Sequence, residues 1–491
     1  MKSKTIYILI TIIIIVVTLS LTQIDFDRKG ARVHQHLDER WQSTNVSNST
    51  NFQTKLPIIE IDTEGQKIPG RPITGTDNNT SFELTENGDS DITVFFSAID
   101  LQQGSNSTAD DPTLKSLARV AYRGNSSRYF DKMSYSVRLI LKDGSENRKE
   151  LLGMSDHDQW VLNGPILDRS LLRNYLSFNI SGEIMDYAPN VRYCELFVDG
   201  EYQGVYLLME NISKGIERIN IQTPENKRNA TDYIIKLDRE NKADNALNNY
   251  GKYTYKLDGS SFDVLYPSLL KITEGQKKYI EKEISMLEKK IYSYDLFENN
   301  KNYKQDLDIE AFAEYFVINE FFGNIDAGLH STYYYRPIKG KIKPVVWDFN
   351  NAFDNYIDYD YNQSGFNMID RPIFDALIKD EKFVDLVVSK YRKLRTKELN
   401  EKYLLNYIDE TELWLGDAID RNYVRWGYVF DLLNYDGMKY LTPVNRNVTS
   451  YKQAVDQLKQ YIVSRGNWMD DHIEVLYQYS HESKIVNDLI K

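Results

Sequence analysis

The chain has 491 residues, with 60 Lys plus Arg against 72 Asp plus Glu and a formal charge of −12. That balance argues against a nucleic-acid binder, which needs a basic face to meet phosphates. The 41% hydrophobic and 13% aromatic content excludes a disordered chain and suits about three domains, or one large two-lobed unit. The lone Cys194 excludes an intramolecular disulfide framework and a cysteine-based zinc cluster, and the six histidines form no HExxH motif.

In chain order, the first element is the uncharged run from Thr5 to Ile24. At about 1.5 Å per residue it reaches roughly 30 Å, the thickness of a bilayer core. Lys2 and Lys4 precede it and no small-residue cleavage pattern follows it. The run therefore predicts a single-pass anchor, with residues 1–4 cytoplasmic, 5–24 in the cell membrane and the remainder outside. Residues 25–55, rich in Ser, Thr, Asn and Gln, read as a flexible stalk. From 56 to 270 short runs rich in Val, Ile, Tyr and Phe, such as LPIIEID, DITVFFSAI and DYIIKLD, predict strands. Within them, LDRSLLRNYLSFNISGEI predicts a helix capped by Asp168 or Ser170. From 271 to 480 the period is helical, and 481–491 is a tail. Strands first and helices second predict an α+β protein of two lobes with a cleft between them.

The segment from 323 to 355 carries the chemistry. A helix over 308–322 ends at Gly323, and Asp326 follows in a loop. STYYYRP and KIKPVVWDF then predict a hairpin turning at Lys339-Gly340, with Asp348 roughly opposite Ser331. Such a hairpin brings Asp326 and Asp348 together at its open end. Two adjacent acids repel unless a cation compensates, and Mg²⁺ or Mn²⁺ takes one or two carboxylates and fills its other positions with water and phosphate. The alternative is that both are ordinary turn residues. Two further segments bear on ligand binding. RGNSSRYFDK, beginning at Arg123 and ending at Lys132, offers loop amides and cations to phosphate, or is a plain hairpin turn. Glu210 ends the strand GVYLLME as a surface charge or a ligand acceptor.

Together these segments resemble the CotH kinase family over about residues 56–480. The matching landmarks are LPIIEID, RGNSS with Lys132, DRSLLRN, VRYCELFVDGEYQGVYLLMEN, GNIDAGLHSTYYY and VVWDFNNAF. The resemblance implies an atypical protein-kinase-like fold and transfer of the ATP γ-phosphoryl group to Ser or Thr of a surface or coat protein. It implies Asp326 as the acid on the substrate hydroxyl, Asp348 as the ligand of Mg²⁺ or Mn²⁺, and Lys132 or Arg123 as the phosphate contact. Glu210 would lie where adenine sits, and Asp168 or Glu183 would pair with Lys132. Many members carry Asp where this chain has Asn350, which implies weaker metal affinity or a single ion. A non-catalytic coat-assembly module on the same fold, and a two-carboxylate glycosidase without metal, are the competing functions.

Overall fold

The computed structural model describes residues 32–42, 52–74, 80–101, 105–124, 126–164, 166–240, 245–257, 259–292, 302–358, 360, 363–432 and 441–480. Chain packing groups His34–Lys491 as one unit; of the preceding unit, Met1–Val33, only residues 32 and 33 are described.

The strand-forming runs of the first half do not build an open lobe. Seven of them, β1 (Ile58–Asp62), β2 (Ile92–Ile99), β3 (Leu114–Arg123), β4 (Ser134–Ile140), β5 (Gln159–Asn163), β6 (Val191–Val198) and β7 (Glu201–Glu210), close a barrel in the order β5-β7-β6-β1-β2-β3-β4. Closure follows from β5, which pairs with β4 on one side and β7 on the other and so leaves no free edge. All neighbours are antiparallel except β6 and β1. Alternate residues such as Ile59, Ile61, Val94, Phe96, Val120, Val137, Leu139 and Leu208 fill the interior, as the two-residue period of a strand requires.

A second sheet has four strands: β8 (Tyr233–Arg239), β9 (Ser260–Tyr266), β10 (Thr332–Arg336) and β11 (Lys343–Val345), ordered β9-β8-β10-β11. It takes two strands from each half of the chain. The expected two-lobed α+β, kinase-like arrangement is therefore corrected to a mixed α/β fold built around a closed barrel. The reason is long-range pairing, β8 against β10, which no local periodicity reports.

The helices that position the site are α1 (Arg173–Ile184), α2 (Glu274–Tyr292) and α3 (Ile309–Phe322), followed by α4 (Glu381–Arg395), α5 (Glu401–Leu415), α6 (Asp417–Trp426) and α7 (Tyr451–His472). α3 begins at Asp308, whose side chain accepts from Ala311 N, and ends at Gly323 in the left-handed conformation, φ 60°. The residue types at both ends suit these caps. α1 is buried nearly all round, so its sequence shows little amphipathic stripe. α6 docks on β7 at Gly204, φ 101°, where an added Cβ would lie 2.6 Å from Asn422 Oδ1.

Among the described residues no helix is long and apolar enough to cross a membrane. The run 5–24 lies outside those residues, and the single-pass membrane placement read from it is withdrawn. Within the stretch read as a stalk, residues 34–42 pack closely. The Gln35 side chain exchanges two hydrogen bonds with the Tyr193 backbone, 3.1 and 2.6 Å. The Trp414 indole donates to Trp41 O at 3.0 Å. His34 Nε2 lies 2.9 Å from Glu183, and His36 Nδ1 lies 2.9 Å from the Tyr175 hydroxyl.

Burial, with His34 nearby, pushes the His36 imidazole down to about 3. A folded-state value below the ordinary one means stability that is full above about pH 6.5 and lost as pH falls through the interval to the folded value. Chemical denaturation at pH 7 and pH 5 should show the parent losing about 2 kcal/mol more than the His36→Gln variant across that step.

Candidate functional site

The hairpin forms, in a shorter version than expected. β10 and β11 pair over Tyr333↔Val345, Tyr334↔Pro344 and Tyr335↔Lys343. The turn closes with Gly340 N donating to Pro337 O at 2.8 Å, and Lys339 has φ 62°. This register is one residue away from the expected one, so Asp348 projects opposite His330 rather than Ser331. The ladder ends at Val345, and the acids lie beyond it.

Asp326 and Asp348 do converge. Burial and the like charge of Asp326 push the Asp348 carboxyl above its ordinary range. Asp348 has φ 53°, a conformation that costs a non-glycine residue energy and that clusters at functional sites. The surrounding loop is tightly fastened. Phe349 N donates to Asn174 Oδ1 at 2.9 Å, and Arg173 Nε donates to Ala352 O at 3.2 Å. Arg173 is itself held by Asp168 at 2.7 Å. Beneath the loop Phe349 meets Phe178 and Phe322, with ring centroids 5.4 and 5.9 Å apart.

Arg123 belongs with the acids. It ends β3, its guanidinium lies 5.4 Å from the centre of the Trp347 ring, and its charge acts on Asp348. Arg128, four residues after Gly124, in turn has its pKa lowered by burial and by the charge of Arg123. Gly124 itself has φ 115°, the left-handed turn that makes this loop possible.

Lys132 goes elsewhere. It is buried, and its amine donates to Val205 O at 2.7 Å and to Asn422 Oδ1 at 2.9 Å. Burial pushes its pKa down to about 7, against the pull of Asp168. Of the two acids weighed as its partner, Asp168 acts on it, whereas Glu183 holds His34 and the Tyr403 hydroxyl. Glu210 is also buried. Its Oε2 accepts from Asn190 N at 2.8 Å, and Arg218 Nε lies 3.8 Å from its Oε1. Neither residue has a hydrogen bond or ion pair to Asp326 or Asp348 among the described residues.

Three residues near the acids escaped the sequence reading. His330 feels both Asp326 and Asp238; burial and Arg239 lower its pKa, and its Nδ1 is buried without a hydrogen-bond partner among the described residues. Lys236 and Asp238 form an ion pair on β8, and Lys236 lies 5.7 Å from the Tyr333 ring. Their spacing of two puts them on one face of the strand. That was the available signal, but only the β8–β10 pairing brings the face to the site.

The site's chemistry can be tested against a divalent cation. Among the described residues no cluster of three or more His, Cys, Asp or Glu is arranged to hold a metal. The two acids do fit a hard cation that completes its shell with water and phosphate. Their repulsion, evident at Asp348, is what such a cation would relieve. In its absence Asp348→Asn should raise the melting temperature at pH 7. The penalty on the ionised acid is absent below the unfolded value, grows as pH rises and is complete above the raised folded value, so the gain should vanish on acidification. Differential scanning calorimetry across pH 3 to 8 tests it.

Comparison with known protein families covers these residues. The family model described as CotH kinase protein matches residues 120–469, which include Arg123, both acids and the whole hairpin. Inner spore coat protein H of Bacillus subtilis (strain 168) is 22% identical over 375 residues, covering 73% of this chain and 87% of that protein. With a single family model spanning most of its length, the chain belongs to the CotH kinase family.

Proposed function

We propose that the protein is a metal-dependent phosphotransferase that moves the γ-phosphoryl group of ATP to a Ser or Thr hydroxyl of a coat or surface protein. The observation that carries this reading is the convergence of Asp326 and Asp348, with Arg123 beside them. Family membership and the likeness to a spore coat protein support the acceptor class.

Phosphoryl transfer asks a protein mainly to position groups and neutralise charge. Asp326, in the loop after α3, orients the acceptor hydroxyl and takes up its proton. Asp348 holds the Mg²⁺ or Mn²⁺ that offsets the charge of the triphosphate. Arg123 meets the phosphates. It replaces Lys132 in that role, because the Lys132 amine is already committed to Val205 O and Asn422. Glu210 is removed from the nucleotide contacts for the same reason, being enclosed by Asn190 and Arg218.

A second reading, a non-catalytic coat-assembly module, is favoured by the likeness to a spore coat protein. Incubation with γ-labelled ATP and Mn²⁺ separates the two. The first reading expects label on the chain itself or on an added protein, with Asp348→Ala reducing transfer by about 100-fold or more. ATP binding without transfer supports the second. In the same assay Arg123→Ala should raise KM for ATP, whereas Lys132→Met, if it folds, should leave KM unchanged.

A further inference from the structure

The loop after β11 contains two consecutive asparagines, and each reaches a different acid. Asn350 Nδ2 donates to Asp348 Oδ1 at 2.6 Å, and Asn351 Nδ2 donates to Asp326 Oδ2 at 2.9 Å. Among the described residues neither Asp348 Oδ2 nor Asp326 Oδ1 has a hydrogen-bond donor. Each acid thus has one oxygen held by an amide and one left over.

The orientation of Asn350 follows from a chain that starts at an unambiguous donor. The backbone N–H of Phe349 can only donate, so Asn174 presents Oδ1 to it, at 2.9 Å. Asn174 Nδ2 then faces Asn163 Oδ1 at 3.0 Å and Asn350 Oδ1 at 2.7 Å. Asn350 must accept from Asn174, and its own Nδ2 is thereby directed at Asp348. An aspartate at 350 could accept from Asn174 but could not donate to Asp348. It would add a third negative group to two that already repel.

We propose that Asn350 and Asn351, the former set by Asn174, are positioning residues that fix one oxygen of each acid and leave the other for one divalent cation. The inference rests on the phosphotransfer reading and adds to it a role for amides where an acid would be the obvious metal ligand. Outer-shell partners of this kind typically change metal affinity by about 10–100-fold when removed.

The test is a titration of the full-length chain with Mn²⁺, first alone and then in the presence of ATP, following free Mn²⁺ by electron paramagnetic resonance, with thermal denaturation of each variant in parallel. The parent should bind one Mn²⁺ and Asp348→Asn none. Asn350→Ala and Asn351→Ala should weaken binding about tenfold with little change in melting temperature, since both positions are only half-buried. Asn351→Ser repeats the measurement should an alanine variant fail to fold. Asn350→Asp should bind Mn²⁺ more tightly than the parent and melt lower without it. If the parent binds Mn²⁺ and the alanine and serine variants match its affinity, the amides have no positioning role and the cation site stands without them. If the parent binds no Mn²⁺ with or without ATP, the phosphotransfer reading falls and takes this inference with it.

Discussion

The first turn of α1 is the constraint on which the site depends. Arg173 and Asn174 are consecutive, and both reach the loop that carries Asp348, one through Ala352 O and the other through Phe349 N. Arg173 can do so because Asp168 neutralises it in the interior, and Asp168 also accepts from the Arg173 backbone N–H at 2.9 Å. A buried ion pair of this type adds little net stability when complete, yet removing one partner strands the other charge at a cost of about 3–5 kcal/mol. Its contribution is geometric: it fixes where the helix starts, and the helix start fixes the loop.

That fastening allows Asp348 to keep an unfavourable backbone conformation beside a second acid. The strain and the repulsion are local, while the compensating terms are spread over α1, the aromatic cluster of Phe178, Phe322 and Phe349, and the hydrogen bonds of the loop. The barrel contributes differently. Closure makes it rigid, so Arg123 at the end of β3 and Asn163 at the end of β5 are presented at fixed positions to groups that belong to the second half of the chain.

Much of this was legible in the sequence, and the part that was not has a common cause. The stop of α3 at Gly323, the turn at Lys339-Gly340 and the approach of Asp326 to Asp348 are consequences of local pattern. The register slipped by one because the turn starts at Pro337 and the ladder holds only three pairs, too few for symmetry about the turn to be decisive. Barrel closure, the β8–β10 pairing and the amide chain from Asn163 to Asp348 join residues far apart in sequence, where spacing carries no information. The surroundings of Lys132 were hidden for a related reason. A lysine beside a glycine loop suggests phosphate, but α6, arriving from residue 417 onward, supplies Asn422 and encloses it.

The outer edge of the four-stranded sheet also bears on what kind of contact another chain could make there. β11 is only three residues long, and its middle residue, Pro344, has no backbone N–H to offer. Lys343 next to it is tied to Asp186 and to Asp308. An incoming extended peptide would find almost no main-chain pairing there, since short edges bearing proline and lysine resist strand addition. Any chain that met this rim would do so through side-chain shape and charge, for which a flexible, irregular segment serves as well as an ordered one.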